Sequence, residues 1–246
     1  QSPSAEVSIE TILGGNVTVA KIISVEEAVA MIPDGATIMF GGFLGCGSAH
    51  KIIDALSKSG KSGFTIIGND CGMATGPDGD LYGMAKLVHN KQVKRVIATH
   101  VGMTPDVATQ NMVDKTLEVN LIPQGSLAEM IRAGGAGLGG VLTPTGVGTI
   151  VEDSPLCLGK QTIDGKEYLL MKPLHADFAL VNAYKIDQAG NMWYKGTTRN
   201  FNVVAATAAD VVIAEADNLV EIGAIEPENV VTPGAYIKYI VDGGKA

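Results

Sequence analysis

Cysteine is scarce in this chain. The three that occur, Cys46, Cys71 and Cys157, are an odd number, far apart, with no C-x-x-C pair. That argues against a disulfide framework and a zinc site, and fits a reducing cytoplasm. The four histidines, His50, His89, His100 and His175, are scattered with no H-E-x-x-H spacing. They read as surface or satisfied core residues and not as metal ligands. Positive charge is also in deficit: 18 basic against 26 acidic residues leave a net charge of -8. A nucleic-acid protein usually presents a basic face, so no nucleic-acid partner is expected, although local basic contacts to a phosphate-bearing ligand stay possible. No apolar run approaches the ~18 residues of a membrane span. The amino-terminal stretch lacks a basic n-region and an apolar h-region and is not Arg-rich, so it reads as neither a secretory signal nor a presequence. It is polar and weakly patterned. Residues 1–22 are therefore expected to form an N-terminal extension or tag-derived arm, and residues 23–246 a single domain. A P-loop is missing too: Gly42 to Gly47 fits G-x-x-x-x-G, but Ser48 stands where the lysine belongs. No G-x-G-x-x-G occurs, and NAD is not expected.

What the chain does have is apolar material and glycine. The apolar fraction is 46%, with 18% charged, enough for a substantial core. Thirty-one glycines fall in clusters, the mark of tight loops near ligands more than of a flexible polymer. From Ile23 the pattern becomes regular. Ser24-Val25-Glu26-Glu27 reads as a capping box opening a short helix to Met31, broken by Pro33-Asp34-Gly35. Residues 36–40 read as a buried strand. Ser48 is expected to cap a helix over residues 49–57, with Ile52, Ile53 and Leu56 on one face. The rhythm continues: strand 64–67, helix 81–90, strands 93–98 and 117–122, helix 125–133. Later segments add a hairpin over 161–170 around Asp164-Gly165, strands 178–183, 192–194 and 211–215, and an Ala-rich helix over 201–209. Alternating strands and helices predict an α/β fold, an open, mainly parallel sheet with helices on both faces.

Ligands in such sheets sit at the carboxyl ends of strands, so three loops matter. The first is Gly41-Gly42-Phe43-Leu44-Gly45-Cys46-Gly47. Two glycines let backbone approach a ligand and aim N–H groups at an oxyanion. The same pair reads equally as a tight strand-to-helix turn. The second loop carries Asn69 and Asp70. The Asn69 amide can donate to a carbonyl or carboxylate, although an Asx-turn is the commoner use of such a residue. The third carries Pro123-Gln124-Gly125-Ser126, where Gln124 has the same donor capacity or else satisfies a neighbouring backbone group. Glu129 and Arg132, three apart, read as an ordinary helix-face pair.

Several segments together resemble one family. They are Ile32 to Thr37, Gly41 to Gly47, Pro123 to Glu129, Ile131 to Gly137, Leu142 to Thr149, Asp187 to Asn191, Arg199 to Asn202 and Val231 to Gly234. In this order and spacing they are similar to the α subunit of family I acyl-CoA:carboxylate CoA-transferases of the 3-oxoacid, acetoacetate and butyrate type. The first ~22 residues and residues 155–159 fall outside the resemblance.

The resemblance implies a CoA-transferase-type α/β fold and a reaction that needs neither ATP nor metal. A glutamate attacks the thioester, giving a mixed anhydride and CoA thiolate. The thiolate then attacks the glutamyl carbonyl, leaving an enzyme–CoA thioester, and an acceptor carboxylate reverses the sequence. In the family that glutamate lies in a Glu-Asn-Gly motif on the β-type half. This chain has none; Glu228-Asn229 is followed by Val230. No catalytic nucleophile is therefore expected here, and a β subunit is, commonly as α2β2. Coenzyme A and acyl-CoA enter as substrates, with no permanently bound cofactor. The residues carried over are Gly41 and Gly42, Phe43 as an apolar wall, and Asn69 and Gln124 as amides near the acyl group and oxyanion. Relatives vary at the position of Asp70, so the resemblance gives it no role. The similarity of Gly139 to Leu142 favours short-chain acyl groups. Two other classes stay open: a superfamily relative of the sugar-phosphate isomerase type, and a non-catalytic binding module.

Overall fold

The computed structural model describes residues 20–244. Its main sheet has nine strands. In chain order these are β1 (Lys21–Ile23), β2 (Thr37–Phe40), β3 (Phe64–Ile67), β4 (Val93–Ala98), β5 (Glu118–Leu121), β9 (Ala176–Asp187), β10 (Met192–Trp193), β11 (Ala209–Val220) and β12 (Tyr239–Asp242). They lie in the order β1-β12-β11-β9-β2-β3-β4-β5, with β10 paired to β9. Every neighbouring pair along that order is parallel; β10 is antiparallel. The mainly parallel open sheet expected from the alternating pattern is present.

Side-chain alternation along the strands sorts the core into two layers. Ile38, Phe40, Ile66, Val96 and Leu180 face one side, with α1 (Val25–Met31), α2 (His50–Lys58) and α3 (Ala85–His89). Met39, Ile67, Ile97, Ala179 and Val181 face the other, with α5 (Gln124–Gly135) and α6 (Asn202–Ala205). A four-residue helical turn, α4 (Pro105–Ala108), runs into a π-helical turn before β5. Three antiparallel strands, β6 (Val141–Thr143), β7 (Cys157–Ile163) and β8 (Lys166–Met171), form a separate small sheet. The expected Asp164-Gly165 hairpin is its β7–β8 turn, both residues at positive φ, as a two-residue turn requires. This hairpin does not join the main sheet; Leu169 and Met171 of β8 face the α5 layer of the core.

Local expectations meet the structure unevenly. The Ser24 capping box forms as read: the Ser24 hydroxyl accepts from Glu27 N and Glu27 accepts from Ser24 N. Strand 64–67 has the expected limits. Of the segment read as an arm, residues 1–19 lie outside the described residues. Its end, however, belongs to the fold: Ala20 is buried and β1 pairs with β12. The helix read over 81–90 starts only at Ala85, because Tyr82 exchanges backbone hydrogen bonds with Met73 and Gly83 turns with positive φ. The helix read over 201–209 is only Asn202–Ala205, since Ala209 already pairs with Ala176 as β11. Ser48 does not cap α2. Ala49 takes the N-cap position without a side-chain bond, and Ser48 turns back towards Gly41 O at 3.4 Å.

The end of α1 is closed by a distant lysine. Lys61 Nζ donates to Val29 O (2.7 Å), Ala30 O (3.1 Å) and Ile32 O (2.6 Å), satisfying carbonyls a helix end leaves open. Lys61→Met is expected to lower stability by about 1–2 kcal/mol, read as a shifted urea midpoint; an unchanged midpoint would mean that water closes this helix equally well.

Candidate active site

The strand order reverses between β2 and β9. From β2 the chain winds outward through β3, β4 and β5; from β9 it winds the other way through β11 and β12. A crevice opens at the carboxyl ends of strands at such a switch point. The segment that fills this one is the glycine loop after Phe40. Its first N–H, of Gly41, donates to Leu180 O on β9 at 3.0 Å.

This loop is held from two sides. Behind it lies the turn after β10. Asn200 Oδ1 accepts from Gly42 N (3.1 Å), and its amide donates to Cys46 O and Thr197 O, both at 2.9 Å. Asn202, fully buried, donates to Gly47 O and Thr198 O, both at 2.8 Å, and accepts from Asn182 N on β9 at 2.9 Å. Two glycines are dictated by these contacts. A Cβ on Gly41 would overlap the Asn202 carboxamide, and one on Gly42, at φ 108°, would overlap the Ser48 hydroxyl. In front, Asp70 Oδ2 accepts from Leu44 N at 2.8 Å.

Asp70 joins the loop to the expected amides. Asn69 and Asp70 are each only 3% exposed. Asn69 Nδ2 donates to Asp70 Oδ2 (2.8 Å), and Asp70 Oδ1 accepts from Gly72 N (2.7 Å). Thr99, just past β4, donates its hydroxyl to Asn69 O at 2.8 Å. Gln124 is the first residue of α5 rather than a loop residue. Its Nε2 donates to Asn69 Oδ1 at 2.5 Å while the residue stays exposed. The structure thus joins Asn69 and Gln124 directly and ties the glycine loop to them through Leu44 and Asp70, while Gly41 and Gly42 bond elsewhere. Phe43 stands beside it, 43% exposed.

One expectation changes in kind. The glycine loop was read as a source of free backbone donors for an oxyanion. The N–H groups of Gly41, Gly42, Phe43 and Leu44 instead donate to Leu180 O, Asn200 Oδ1, Cys46 O and Asp70 Oδ2. What the loop offers a ligand is close approach and an apolar wall. Donor capacity lies with Gln124: a carboxamide carries two N–H donors, and one of them reaches Asn69.

A cavity of about 560 Å³ opens on the loop's other flank, with His50, Asn182, Glu215 and Asp217 in its wall. The sequence pattern gives none of these four a site role, and His50 reads there as a surface or core residue. Glu215, on β11, accepts from Ile52 N (3.0 Å) and Lys51 N (3.3 Å), so a carboxylate from another element serves the α2 N-terminus that Ser48 leaves uncapped. Asn182 donates to Asp217 Oδ1 at 3.1 Å. Burial pushes the Glu215 carboxyl above its usual range, against the pull of the two N–H groups. Burial also lowers the His50 imidazole. Nε2 lies 2.7 Å from Gly45 O, an acceptor, so it carries a proton and donates. Burial raises the Cys71 thiol far above reach of neutral pH, so Cys71 is a core residue. Among the described residues no group of three or more His, Cys, Asp or Glu is arranged to hold a metal ion.

A family model described as coenzyme A transferase matches residues 22–243. The acetate CoA-transferase subunit alpha of Escherichia coli K12 is 44% identical over 223 residues, covering 90% of this chain and 96% of that protein. The acetoacetyl-CoA:acetate/butyrate CoA transferase alpha subunit of Clostridium acetobutylicum is 48% identical over 223 residues, covering 90% and 97%. Among solved structures, an acyl-CoA transferase of Escherichia coli O157:H7, as its thioester complex with CoA, superposes with a TM-score of 0.79 at 23% identity. It shares the fold over 93% of this chain, and this chain spans 48% of its length.

Glu215 gives a signed pH test. Its folded pKa lies above its unfolded one, so the ionised form costs stability. That cost is absent below the ordinary glutamate pKa of ~4.3 and complete above the raised value. Glu215→Gln keeps an acceptor oxygen and avoids the cost. The Tm of the variant minus that of the wild type is expected to rise from pH 4 to pH 7; a flat or falling difference contradicts the assignment.

Proposed function

The chain belongs to the coenzyme A transferase family, and we propose that it supplies the acyl-binding half of a catalytic site that a β subunit completes. One observation carries the reading. The carboxyl edge of the sheet holds an ordered donor, Gln124, with its supporting amide and carboxylate, and an apolar wall, but no Glu-Asn-Gly segment to attack a thioester. The curated relatives named above are α subunits by name, and they support a β partner, here taken as an α2β2 assembly. Exposed apolar side chains offer such a partner a surface: Phe43 on the glycine loop is 43% exposed, and Leu121 and Ile150, at 49% and 87%, share one cavity wall.

The chemistry divides accordingly. The partner's glutamate attacks the acyl-CoA thioester, the carbonyl becomes a tetrahedral oxyanion, and CoA leaves as thiolate. Gln124 donates to that oxygen; Asn69 holds Gln124; Phe43 and the glycine loop confine the acyl group and keep water out. The thiolate then displaces the acyl carboxylate from the anhydride, leaving glutamyl-CoA on the partner for the acceptor acid. Acetate, acetoacetate and butyrate are the proposed acids, supported by the relatives' names. CoA and acyl-CoA act as substrates in this scheme, and no resident cofactor takes part. A cytoplasmic setting belongs to the reading; no helix among the described residues is long and apolar enough to cross a membrane. The isomerase and binding-module alternatives give way to the family membership.

The purified chain alone is expected to exchange no CoA between acetoacetyl-CoA and acetate, and mixing with its β subunit to establish ping-pong turnover. Gln124→Ala should lower kcat of the complex by about 10²–10³, the scale for losing one oxyanion donor. Turnover by the isolated chain, or an unchanged kcat in the variant, contradicts the divided site.

A further inference from the structure

We propose that Asp70 is a positioning residue: its buried carboxylate locks the glycine loop to the Asn69–Gln124 amide pair and so fixes where the Gln124 donor points. The inference rests on the functional reading above and goes beyond it, since the resemblance gives Asp70 no role.

The hydrogen-bond inventory makes the case. Asp70 is 3% exposed and spends both oxygens on three donors from two loops. Oδ1 takes Gly72 N and folds its own loop. Oδ2 takes Leu44 N from the glycine loop and Asn69 Nδ2 from its neighbour. An Asn side chain has two faces that differ chemically, one donor and one acceptor. With Nδ2 committed to a carboxylate, Asn69 must present Oδ1 on its other side. There it meets Gln124 Nε2 at 2.5 Å and Thr99 Oγ1 at 3.3 Å. That contact consumes one Gln124 N–H and fixes the amide's orientation, leaving the second N–H directed away from Asn69. Without Asp70 only the long Thr99 contact to Oδ1 favours this flip, and the reversed amide would set two N–H groups face to face. The Leu44 bond adds a second consequence. Leu44 sits at φ 48°, a left-handed conformation that costs a leucine energy, and the Asp70 bond is one of the contacts that hold it there. One carboxylate therefore sets the distance between the apolar wall and the donor. Hydrogen bonds to a charged acceptor are about twice as strong as neutral ones, which suits a group that must hold two loops in register.

Four measurements on the chain and its β-subunit complex test this. The crystal structure of Asp70→Ala is expected to show Gln124 Nε2 beyond 3.5 Å from Asn69 Oδ1; retention of the native contact overturns the proposal whatever the activity. In the complex, Asp70→Ala should lower kcat at least tenfold with KM for acyl-CoA changed less than threefold. In a Gln124→Ala background the same substitution should cost less than threefold, because the donor it positions is already gone. Equal losses in both backgrounds would reduce Asp70 to a purely structural residue. Asp70→Asn keeps an oxygen for Leu44 N and Asn69 Nδ2 but turns an NH2 on Gly72 N, and should retain more of the kcat than Asp70→Ala; a loss as deep as that of Asp70→Ala also counts against the proposal. A wild-type complex without CoA transfer would reject the functional reading instead, and the crystallographic result would still decide the role of Asp70.

Discussion

Gly41 carries no side chain because the Asn202 carboxamide occupies that space, and from this contact the rest of the site follows. Asn202 is fully buried and bonded to three backbone groups, one on β9, one on the glycine loop and one on the turn after β10. It ties β9, on one side of the switch point, to the loop that leaves β2 on the other. A larger residue at position 41 would push the loop out of the crevice and with it Leu44, the point where Asp70 takes hold. The parallel sheet supplies the crevice; the Asn202 contact decides how deep the loop sits in it.

Polar groups at this edge form two layers with different tasks. Asn200, Asn202 and Glu215 are turned to the backbone, closing donors and acceptors that burial would otherwise leave costly. Asp70, Asn69 and Gln124 run the other way, from a buried carboxylate to an exposed amide. Preorganised donors are effective because they need no reorganisation when charge develops. A run of bonds of this kind holds one amide still and supplies no nucleophile, which is what the proposed half-site asks of it: to stabilise charge that a partner's carboxylate would generate.

Much of this was legible in the residues. The buried strands, the switch from strand to glycine loop and the Ser24 capping box are local, and local pattern recovers them. Asn69 and Gln124 were singled out by their positions after strands, and they meet although 55 residues separate them. The misses are non-local. Ser48 has the chemistry of an N-cap, yet Glu215, 163 residues away from Ile52, does that work. Gly42 looked like an oxyanion donor until Asn200, 158 residues on, accepted its N–H. The Arg199 to Asn202 segment was visible as a motif but without a partner, since nothing near it in sequence announces the loop it clamps. Tyr82 and Gly83 shortened a helix for the same reason, a backbone pairing with Met73 that apolar periodicity does not encode.

The central claim is that this chain orients the reacting carbonyl while its partner carries the covalent bond to CoA. Trapping the reconstituted complex with acyl-CoA and reducing the enzyme thioester with borohydride, followed by peptide mass mapping of both subunits, tests it most directly. The account predicts a single reduced glutamate on the β subunit and every glutamate of this chain unmodified. A reduced glutamate on this chain would contradict it.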